Sequence, residues 1–343
     1  MTDPKQKKEI KELKIRAEQF RKMALKYKRS FGKAEREQRN LLFKEVKNIR
    51  TEIKKILAYN EEKLFEQADV ILGTPIGLLD AKMGKVTFDT LVIDEAGQCI
   101  EPLAWCIFPL ATKFVLAGDH FQLPPTVKSK RPEAAQLKET LFEKAMKLEN
   151  VSIMLNMQYR MHEHIMHFSN RQFYGENLLA AENVKHRLLS NDEHDHLLNT
   201  AVTYIDTAGC GYNEKVNPES LSISNEEEAI LLLKHLKLLL HQYNPLEKRR
   251  KEISVGIISP YKEQVQLIEE LISNDDELQN TPVRIVVKTV DGFQGQERDV
   301  IYISLVRSND TKEIGFLNDI RRMNVALTRA KSKLVVIGDS STL

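Results

Sequence analysis

The sequence predicts an α/β protein whose body contains two domains and is preceded by a pair of long helices. The chain has 343 residues, more than one domain usually contains. Its composition, 42% hydrophobic and 29% charged, is that of a folded globular protein and excludes collagen-like, low-complexity and wholly disordered classes. From residue 68 onward, short apolar runs alternate with helical patterns, which is typical of parallel sheets covered by helices on both faces.

Residues 5–65 predict two long helices packed as an antiparallel hairpin. This stretch has no proline and a single glycine, Gly32. Its apolar residues are sparse, and those between Leu41 and Leu57 recur every three to four positions, as on one face of a helix. The segment Arg29-Ser30-Phe31-Gly32 predicts a break near residues 30–34. Helices with such a narrow apolar stripe are expected to project from the body as a stalk.

The net charge of +2 conceals an uneven distribution of charge. Residues 1–60 contain 19 Lys and Arg against 8 Asp and Glu, a net charge of +11, so the remainder carries −9. A basic segment joined to an acidic body indicates either a polyanion partner or a solvated, charge-rich helix.

The body is predicted to form two α/β units that meet within residues 155–200. The predicted strands are Val70–Leu72, Thr90–Ile93, Phe114–Ala117, Ser152–Leu155, Val202–Ile205, Val255–Ile258, Val283–Val287, Val300–Leu305 and Leu334–Ile337. The predicted helices are Leu137–Leu148, Glu163–Phe173, Asn225–Gln242, Tyr261–Ile272 and Ile320–Ala330.

The sequence contains no membrane or secretion signal. No run approaches about 18 uncharged apolar residues, so we expect no membrane partner. The basic N-terminus is not followed by the apolar segment of a signal peptide. The three cysteines, Cys99, Cys106 and Cys210, follow no disulfide pattern. They favour a reducing compartment, and we expect a cytoplasmic protein.

The most informative local pattern is an apolar strand that ends in Asp94 and Glu95. In open α/β sheets, ligands lie at the carboxyl ends of the strands. An aspartate there can hold Mg²⁺ directly or through water, and the neighbouring glutamate can orient or deprotonate an attacking water. By itself the pair is also compatible with a solvent-exposed turn after a strand, which is common for a single Asp-Glu pair.

Two further polar clusters follow predicted strands. In the first, Gly118 permits a tight exit from the strand, and the amide of Gln122 is suited to sensing a terminal phosphate or its attacking water. The second contains Tyr159 and Arg160, which offer a flat face for a nucleobase and a rigid fork of donors for phosphate oxygens. Successive strands ending in such clusters make a chance arrangement less plausible.

Two more motifs lie near the C-terminus. The first runs from Val290 to Glu297 and contains two glycines. The second contains Arg322 and Arg329, seven residues apart, which two turns of a continuous helix would place on one face about 10 Å apart.

The ordered set DEAGQ, GDHFQLPP, QYRMH, VDGFQGQE and NVALTRAK resembles the superfamily-one helicases. The similarity is strongest to the 5′→3′ branch typified by the nonsense-mediated-decay and immunoglobulin-mu-binding-protein helicases, and it covers nearly the whole chain. It implies RecA-like P-loop NTPase domains, with a stalk at 1–66, the C-terminal part of domain 1 at 67–155 and domain 2 at 156–343. It also implies an ATP-dependent helicase or translocase that hydrolyses ATP between the two domains and acts on single-stranded DNA or RNA.

The resemblance assigns the nucleotide site residue by residue. Asp94 would coordinate Mg²⁺, Glu95 would be the general base, and Gln122 would sense the γ-phosphate. Arg160 and Arg329 would be arginine fingers that neutralise charge in the transition state. The resemblance also assigns four residues to binding of the nucleotide: Tyr159, Gly295, Glu297 and Arg322.

For nucleic acid, the resemblance points to three segments. They are Gly73-Thr74, Ser259-Pro260-Tyr261 and Thr289, which would hold the sugar-phosphate backbone through short polar side chains and main-chain amides. Such contacts do not depend on base sequence and do not distinguish DNA from RNA.

The sequence departs from the family in one respect, since the phosphate-binding motif G-x-x-x-x-G-K-[ST] is absent. The Gly-Lys pairs of this chain, Gly32-Lys33 and Gly84-Lys85, lack both the preceding glycine and the following Ser or Thr. We therefore expect an inactive fragment of a monomeric helicase, whose missing N-terminal part supplies the loop. The alternative is a non-catalytic nucleic-acid-binding or docking module with a decayed motor.

Overall fold

The computed structural model describes residues 4–26, 32–80, 87–127, 129, 131, 136–244 and 252–343. The chain divides into two compact units. Unit 1 comprises Met1–Asp94 and Cys99–Ala117, and unit 2 comprises Glu95–Gln98 and Gly118–Leu343. The chain therefore passes between the units three times, on each side of the segment Glu95–Gln98 and again between Ala117 and Gly118.

Unit 1 combines a helical hairpin with a small parallel sheet. Its elements are α1 (Pro4–Leu25), α2 (Lys33–Gln67), α3 (Pro75–Asp80), β1 (Phe88–Ile93), α4 (Glu101–Ile107) and β2 (Ala111–Leu116). Ile10 and Ala17 of α1 are buried against Ile49 and Ile53 of α2. This contact accounts for the three-to-four spacing in the sequence and confirms the hairpin. Of the predicted break, residues 30 and 31 lie outside the described residues.

Strands β1 and β2 pair in parallel, with Ile93 opposite Leu116. Because the two strands run in the same direction, both end at the same edge of this sheet. The chain continues from β1 into Asp94 and Glu95, and from β2 into Gly118 and Asp119.

Unit 2 contains a five-stranded parallel sheet with helices on both faces. Its elements are α5 (Leu141–Ala145), β3 (Met157–Gln158), α6 (Glu163–Phe173), β4 (Leu179–Ala180), α7 (Glu182–Lys185), β5 (Val202–Asp206), β6 (Lys215–Val216), β7 (Ile223–Ser224), α8 (Glu226–Tyr243), β8 (Ser254–Ser259), α9 (Lys262–Ser273), α10 (Asp276–Gln279), β9 (Arg284–Thr289), β10 (Arg298–Ser304), α11 (Ile320–Leu327) and β11 (Ala330–Gly338). The main sheet has the order β5-β11-β10-β8-β9, with every neighbouring pair parallel. This confirms the predicted α/β class.

Each face of the main sheet has its own apolar core. Tyr302 of β10 packs with residues of α8 and α9, such as Leu236 and Ile268, on one face. The adjacent Ile301 packs on the other face with residues of α6 and α11, such as Ile165. This alternation follows from the two-residue period of a strand, and burial of both faces explains why the central strands are continuously apolar.

Two predicted strands do not form. Val70–Leu72 and Ser152–Leu155 have no strand partner in the described parts of the chain, and Leu72 and Ile153 are each 91% exposed. An isolated extended segment leaves its backbone groups unpaired, so apolar composition alone does not produce a strand.

Two predicted helices are shorter than expected. The region predicted as Leu137–Leu148 forms an α-helix only over Leu141–Ala145, where Thr140 caps it by accepting a hydrogen bond from the Glu143 amide. The helix predicted over Ile320–Ala330 ends at Leu327, because Ala330 already begins β11.

A buried polar network joins α8 to the end of β10. The Glu228 carboxylate accepts hydrogen bonds from the Ser304 hydroxyl at 2.6 Å and the Val306 amide at 3.0 Å. Val306 is buried and has a left-handed φ of 72°, a strained conformation for a β-branched residue. Burial raises the pKa of Glu228 to about 7, although these hydrogen bonds act in the opposite direction. The network thus holds the loop after β10 in place.

No described helix is both long and apolar enough to cross a membrane.

The raised pKa of Glu228 predicts that the fold loses stability as the pH rises. A carboxyl whose folded pKa lies above its ordinary value of 4.5 contributes its full stability below pH 4.5 and loses it as the pH rises through about 7. The loss between these limits should be about 3 kcal/mol. Urea unfolding of wild type and Glu228→Gln across this range measures it, since glutamine does not ionise.

The matched control is Glu226→Gln, which removes an exposed carboxylate from the same helix. This variant should retain the pH dependence of the wild type. A constant stability difference between wild type and Glu228→Gln from pH 4.5 to 8 would contradict the assignment.

Candidate active site

The site begins at Glu95, two positions after the last residue of β1. Glu95 has φ 52°, a left-handed conformation that is costly outside glycine and that is found disproportionately at functional sites. Gln98 fixes its side chain, because the Gln98 amide nitrogen donates to Glu95 Oε2 at 2.8 Å. The Gln98 backbone N–H also donates to the Glu95 carbonyl at 2.8 Å. The preceding Asp94 is exposed at the carboxyl end of β1.

A close approach of two backbones brings the next segment to Glu95–Gln98. A Cβ atom built on Gly118 would lie 2.9 Å from the Gly97 backbone nitrogen and 3.3 Å from that of Ala96. Only glycine permits this separation without a shift of the main chain. Gly118 therefore allows the loop that contains Gln122 to pack directly on the turn that follows Glu95.

Gln122 connects this loop to the C-terminal motif. Its side-chain nitrogen donates to Asp119 Oδ2 at 2.8 Å. Its side-chain oxygen accepts from the Arg329 guanidinium at 3.3 Å. Two residues that the sequence assigned to phosphate recognition, 207 positions apart, are therefore hydrogen-bonded to each other.

Arg329 is a buried cation. Its Nε donates to the Val325 carbonyl at 3.0 Å, and its terminal nitrogen also lies 3.3 Å from the Thr328 hydroxyl. Burial, with repulsion from Arg160, lowers the pKa of Arg329 to about 10, while Glu95 acts in the opposite direction. The guanidinium thus stays charged at neutral pH, in surroundings where an added anion would be favoured.

Arg160 and Glu297 form an ion pair in the same region. Arg160 Nε lies 2.6 Å from Glu297 Oε2, and a second guanidinium nitrogen donates to the Thr328 carbonyl at 3.1 Å. The other Glu297 oxygen lies 2.8 Å from Lys331 Nζ. Burial alone would raise the pKa of Glu297, but the hydrogen bonds from Lys331 and Arg160 outweigh it and hold the pKa below its ordinary value. Glu297 therefore remains ionised and orients the Arg160 guanidinium.

Hydrogen bonds thus join Gln122 to Arg329 and Arg160 to Glu297. The buried charge is that of Arg329, and Arg160 acts on it electrostatically. Glu95 acts on that charge electrostatically. Tyr159, next to Arg160 in the chain, is 67% exposed, so its ring is accessible. Gly295 has φ +74°, which only glycine adopts without strain.

Arg322 has a different environment from Arg329. Because α11 ends at Leu327, the two arginines do not share one continuous helix, and the expected two-turn separation along one face does not apply. The Arg322 guanidinium lies over the Phe316 ring, 5.3 Å from its centre, and 3.9 Å from Asp319.

Two of the segments assigned to nucleic acid are neighbours at the edge of the main sheet. Ser259 ends β8 and pairs in register with Thr289, which ends β9. Thr289 Oγ1 accepts a hydrogen bond from the Gly292 amide at 3.3 Å. Pro260 is half-buried, and the Tyr261 ring is buried against Ile223 and Val306. The Tyr261 ring is therefore a core group, and contact with a strand at this segment would involve other atoms.

The third segment lies in unit 1 at the start of α3. Gly73 and Thr74 are exposed, and Thr74 Oγ1 accepts a hydrogen bond from the Gly77 amide at 3.1 Å. A Cβ on Gly73 would lie 3.0 Å from the Leu78 side chain, which favours glycine there.

Three residues of the site were missed by the sequence reasoning: Asp119, Tyr174 and Asn324. Asp119 lies inside the motif that contains Gln122, so proximity in sequence could have indicated it. Tyr174 and Asn324 reach Asp119 and Phe121 only through the tertiary fold. Asn324 is the first residue of the motif NVALTRAK, which could have indicated it, whereas no quoted motif contains Tyr174.

No group of three or more His, Cys, Asp or Glu in the described ranges is arranged to hold a metal ion.

Comparison with known proteins supports a helicase architecture. An AAA domain family matches residues 137–341, and a second AAA domain family matches residues 2–130. The chain is 36% identical to DNA polymerase alpha-associated DNA helicase A of Schizosaccharomyces pombe, over 89% of this chain and 45% of that protein. It is 38% identical to an uncharacterized ATP-dependent helicase of Methanocaldococcus jannaschii, over 88% and 43%.

A third relative is DNA-binding protein SMUBP-2 of Rattus norvegicus, at 34% identity over 91% of this chain and 32% of that protein. The chain thus spans less than half the length of each of these relatives.

The close approach at Gly118 generates a stability prediction. Gly118→Ala should lower the free energy of unfolding by about 1–3 kcal/mol, because the new methyl group meets backbone atoms that cannot rotate away. The control is Gly292→Ala, whose Cβ would meet only side-chain atoms, none nearer than 3.3 Å. Denaturant unfolding of both variants checks this, and an equal loss in the two would show that the backbone contact is unimportant.

Proposed function

Because the chain belongs to the superfamily-one helicases, in the branch typified by the nonsense-mediated-decay helicase, we propose that the intact protein is an ATP-dependent helicase or translocase acting on single-stranded DNA or RNA. The observation that carries the proposal is the buried Arg329 guanidinium, hydrogen-bonded to Gln122 at 3.3 Å. A sensor amide and a dehydrated cation are the groups that hydrolysis of a terminal phosphate requires.

Glu95 would activate the attacking water. The Gln98 side chain orients its carboxylate through a hydrogen bond. Its backbone has a left-handed φ of 52° and so departs from the conformation of the preceding strand. An oriented carboxylate can accept a proton from water as that water attacks phosphorus. Gln122, which offers both a donor and an acceptor, would contact the γ-phosphate or that same water.

Arg160 and Arg329 would stabilise the charge that develops on the transferred phosphoryl group. In this structure Glu297 and the Thr328 carbonyl orient Arg160, while Gln122 and the Val325 carbonyl orient Arg329. Prior orientation lowers the barrier, since these donors need not reorganise during the reaction. Glu297, Tyr159, Gly295 and Arg322 remain proposed contacts of the nucleotide.

The donor chemistry at the end of β1 fits Mg²⁺. This ion keeps several of its waters and is bound through one or two carboxylates and the substrate phosphates, so a large protein cage is not needed. We assign the protein ligand to the exposed carboxylate of Asp94. When bound, the ion would neutralise charge on the nucleotide phosphates.

The nucleic-acid strand would pass the carboxyl ends of β8 and β9. The pairing of Ser259 with Thr289 there places short polar groups of two strands side by side, as a sequence-independent grip on the sugar-phosphate backbone requires. We propose Gly73 and Thr74 as a further contact. Backbone contacts of this kind serve DNA and RNA alike.

The phosphate loop would come from polypeptide outside these 343 residues. Two observations support this: the motif is absent from the sequence, and two exposed apolar segments suited to strands have no strand partner among the residues that the structure describes. Val70–Leu72 and Ser152–Leu155 would gain strand neighbours in the intact domain. The monomeric state and the cytoplasmic location stay predictions.

A non-catalytic nucleic-acid-binding or docking module is the second candidate, which the absent phosphate loop favours.

Replacing Glu95 tests the catalytic assignment. In the intact protein, Glu95→Gln should lower ATP turnover at saturating single-stranded nucleic acid by about 100-fold or more, because glutamine cannot accept the proton. The affinity for ATP should change little, since size and shape are conserved. Steady-state hydrolysis and equilibrium binding measure the two quantities, with Glu101→Gln, on the following helix, as the control. Unchanged turnover in Glu95→Gln would refute the assignment.

The 343-residue chain by itself distinguishes the two candidates. With no phosphate loop, the purified chain should hydrolyse no ATP above background, with or without Mg²⁺ and single-stranded DNA or RNA. Hydrolysis by this chain that Glu95→Gln abolishes would show that the loop is dispensable. Nucleic-acid binding by an intact protein that never hydrolyses ATP would instead favour the non-catalytic module.

A further inference from the structure

The Asp119 carboxylate is the centre of a hydrogen-bond relay beside Gln122. Its Oδ1 accepts from the Phe121 amide at 3.0 Å. Its Oδ2 accepts from the Gln122 side-chain nitrogen at 2.8 Å and from the Tyr174 hydroxyl at 2.6 Å. Tyr174 follows α6 directly, so this relay joins α6 to the loop after β2.

The relay determines which way the Gln122 amide faces. A carboxylate can only accept hydrogen bonds and a guanidinium can only donate them. Asp119 therefore selects the amide nitrogen, and Arg329 selects the amide oxygen. An amide rotated by half a turn would place oxygen against oxygen and nitrogen against nitrogen, so the two neighbours enforce the same orientation.

The direction of the Tyr174 hydroxyl is fixed in the same way. Asn324 is fully buried in α11, and its side-chain nitrogen donates to the Phe121 carbonyl at 2.9 Å and to Tyr174 Oη at 3.0 Å. A carbonyl can only accept, so the nitrogen of the Asn324 amide must face it. The hydroxyl then accepts from Asn324, and its own proton is directed to Asp119.

Packing supports the position of the hydroxyl. The Phe121 and Tyr174 rings meet edge to face, with their centres 5.4 Å apart. Burial raises the pKa of Tyr174 well above its ordinary value, with the Asp119 charge acting in the same direction, so the hydroxyl keeps its proton at neutral pH.

We propose that Tyr174 is a positioning residue for ATP hydrolysis, which orients the Gln122 amide toward Arg329 through Asp119, with Asn324 aligning its hydroxyl. The inference rests on the proposed function and adds to it a residue outside the sequence motifs. It also gives a physical connection between α11, which directly precedes Arg329, and the loop that contains Gln122. Neither Tyr174 nor Asp119 needs to touch the nucleotide for this role.

The proposal predicts a specific kinetic defect for Tyr174→Phe in the intact protein. Without the hydroxyl, Asp119 loses one of its three donors and Asn324 loses an acceptor, so the Gln122 amide is less restrained. The turnover number at saturating single-stranded nucleic acid should fall roughly tenfold, as when a group that orients a reacting residue is removed. The KM for ATP should stay within about twofold.

The matched control is Tyr302→Phe. It removes a buried hydroxyl that is paired with His235 at 2.8 Å, in the apolar core on the α8 side of the sheet. Turnover by this variant should equal that of the wild type.

A double variant separates a positioning role from a general loss of structure. If Tyr174 acts through Gln122, adding Tyr174→Phe to Gln122→Ala should lower turnover no further than Gln122→Ala alone. Additive losses, or wild-type turnover in Tyr174→Phe, would overturn the proposal.

The same set of variants distinguishes this inference from the function on which it rests. Loss of turnover in Glu95→Gln with full turnover in Tyr174→Phe would remove the role of Tyr174 and leave the function intact. Absence of ATP turnover in the intact wild type would overturn the function, and the role of Tyr174 with it, whereas full turnover in Glu95→Gln would overturn only the assignment of Glu95.

Discussion

The candidate site depends on one buried cation, the guanidinium of Arg329. A charge removed from water destabilises the fold unless polar groups replace the lost hydration. Here the Val325 carbonyl and the Gln122 amide oxygen replace part of it, and burial holds the pKa of Arg329 below its ordinary value. A buried cation of this kind favours the arrival of negative charge, which in the proposed function a nucleotide phosphate would supply. The same feature that costs stability would therefore create affinity for the transition state of the proposed reaction.

The parallel sheets and one close backbone contact bring the remaining groups into place. Parallel strands end at a common edge, so the polar residues that end β8 and β9 lie side by side, although 30 positions separate Ser259 from Thr289. The contact of Gly118 with Gly97 does the same for the turn after Glu95 and the loop of Gln122. Hydrogen bonds through Asp119 and Tyr174 then tie that loop to α6 and α11.

Much of this arrangement could be predicted from the sequence, because its elements are periodic and its motifs are local. The strands of the main sheet and helix Glu163–Phe173 follow directly from apolar pattern. The pattern failed at Ser152–Leu155, since a strand needs a partner as well as apolar side chains. It also failed at the end of α11, where the start of β11 terminates the helix and separates Arg329 from Arg322. Tyr174 lies outside every quoted motif, and although Asn324 begins the motif NVALTRAK, the roles of both residues depend on tertiary hydrogen bonds that the sequence does not show.

The central claim is that Arg329 acts on the transition state of phosphoryl transfer more than on bound ATP. It is tested most directly by comparing wild type and Arg329→Ala in the intact protein for binding of two probes. These are a non-hydrolysable ATP analogue and ADP with aluminium fluoride, which imitates the transferred phosphoryl group. We predict that affinity for the analogue falls by less than about threefold, while affinity for the aluminium fluoride complex falls by about 100-fold or more. An equal loss for both probes, or no loss for either, would contradict this account.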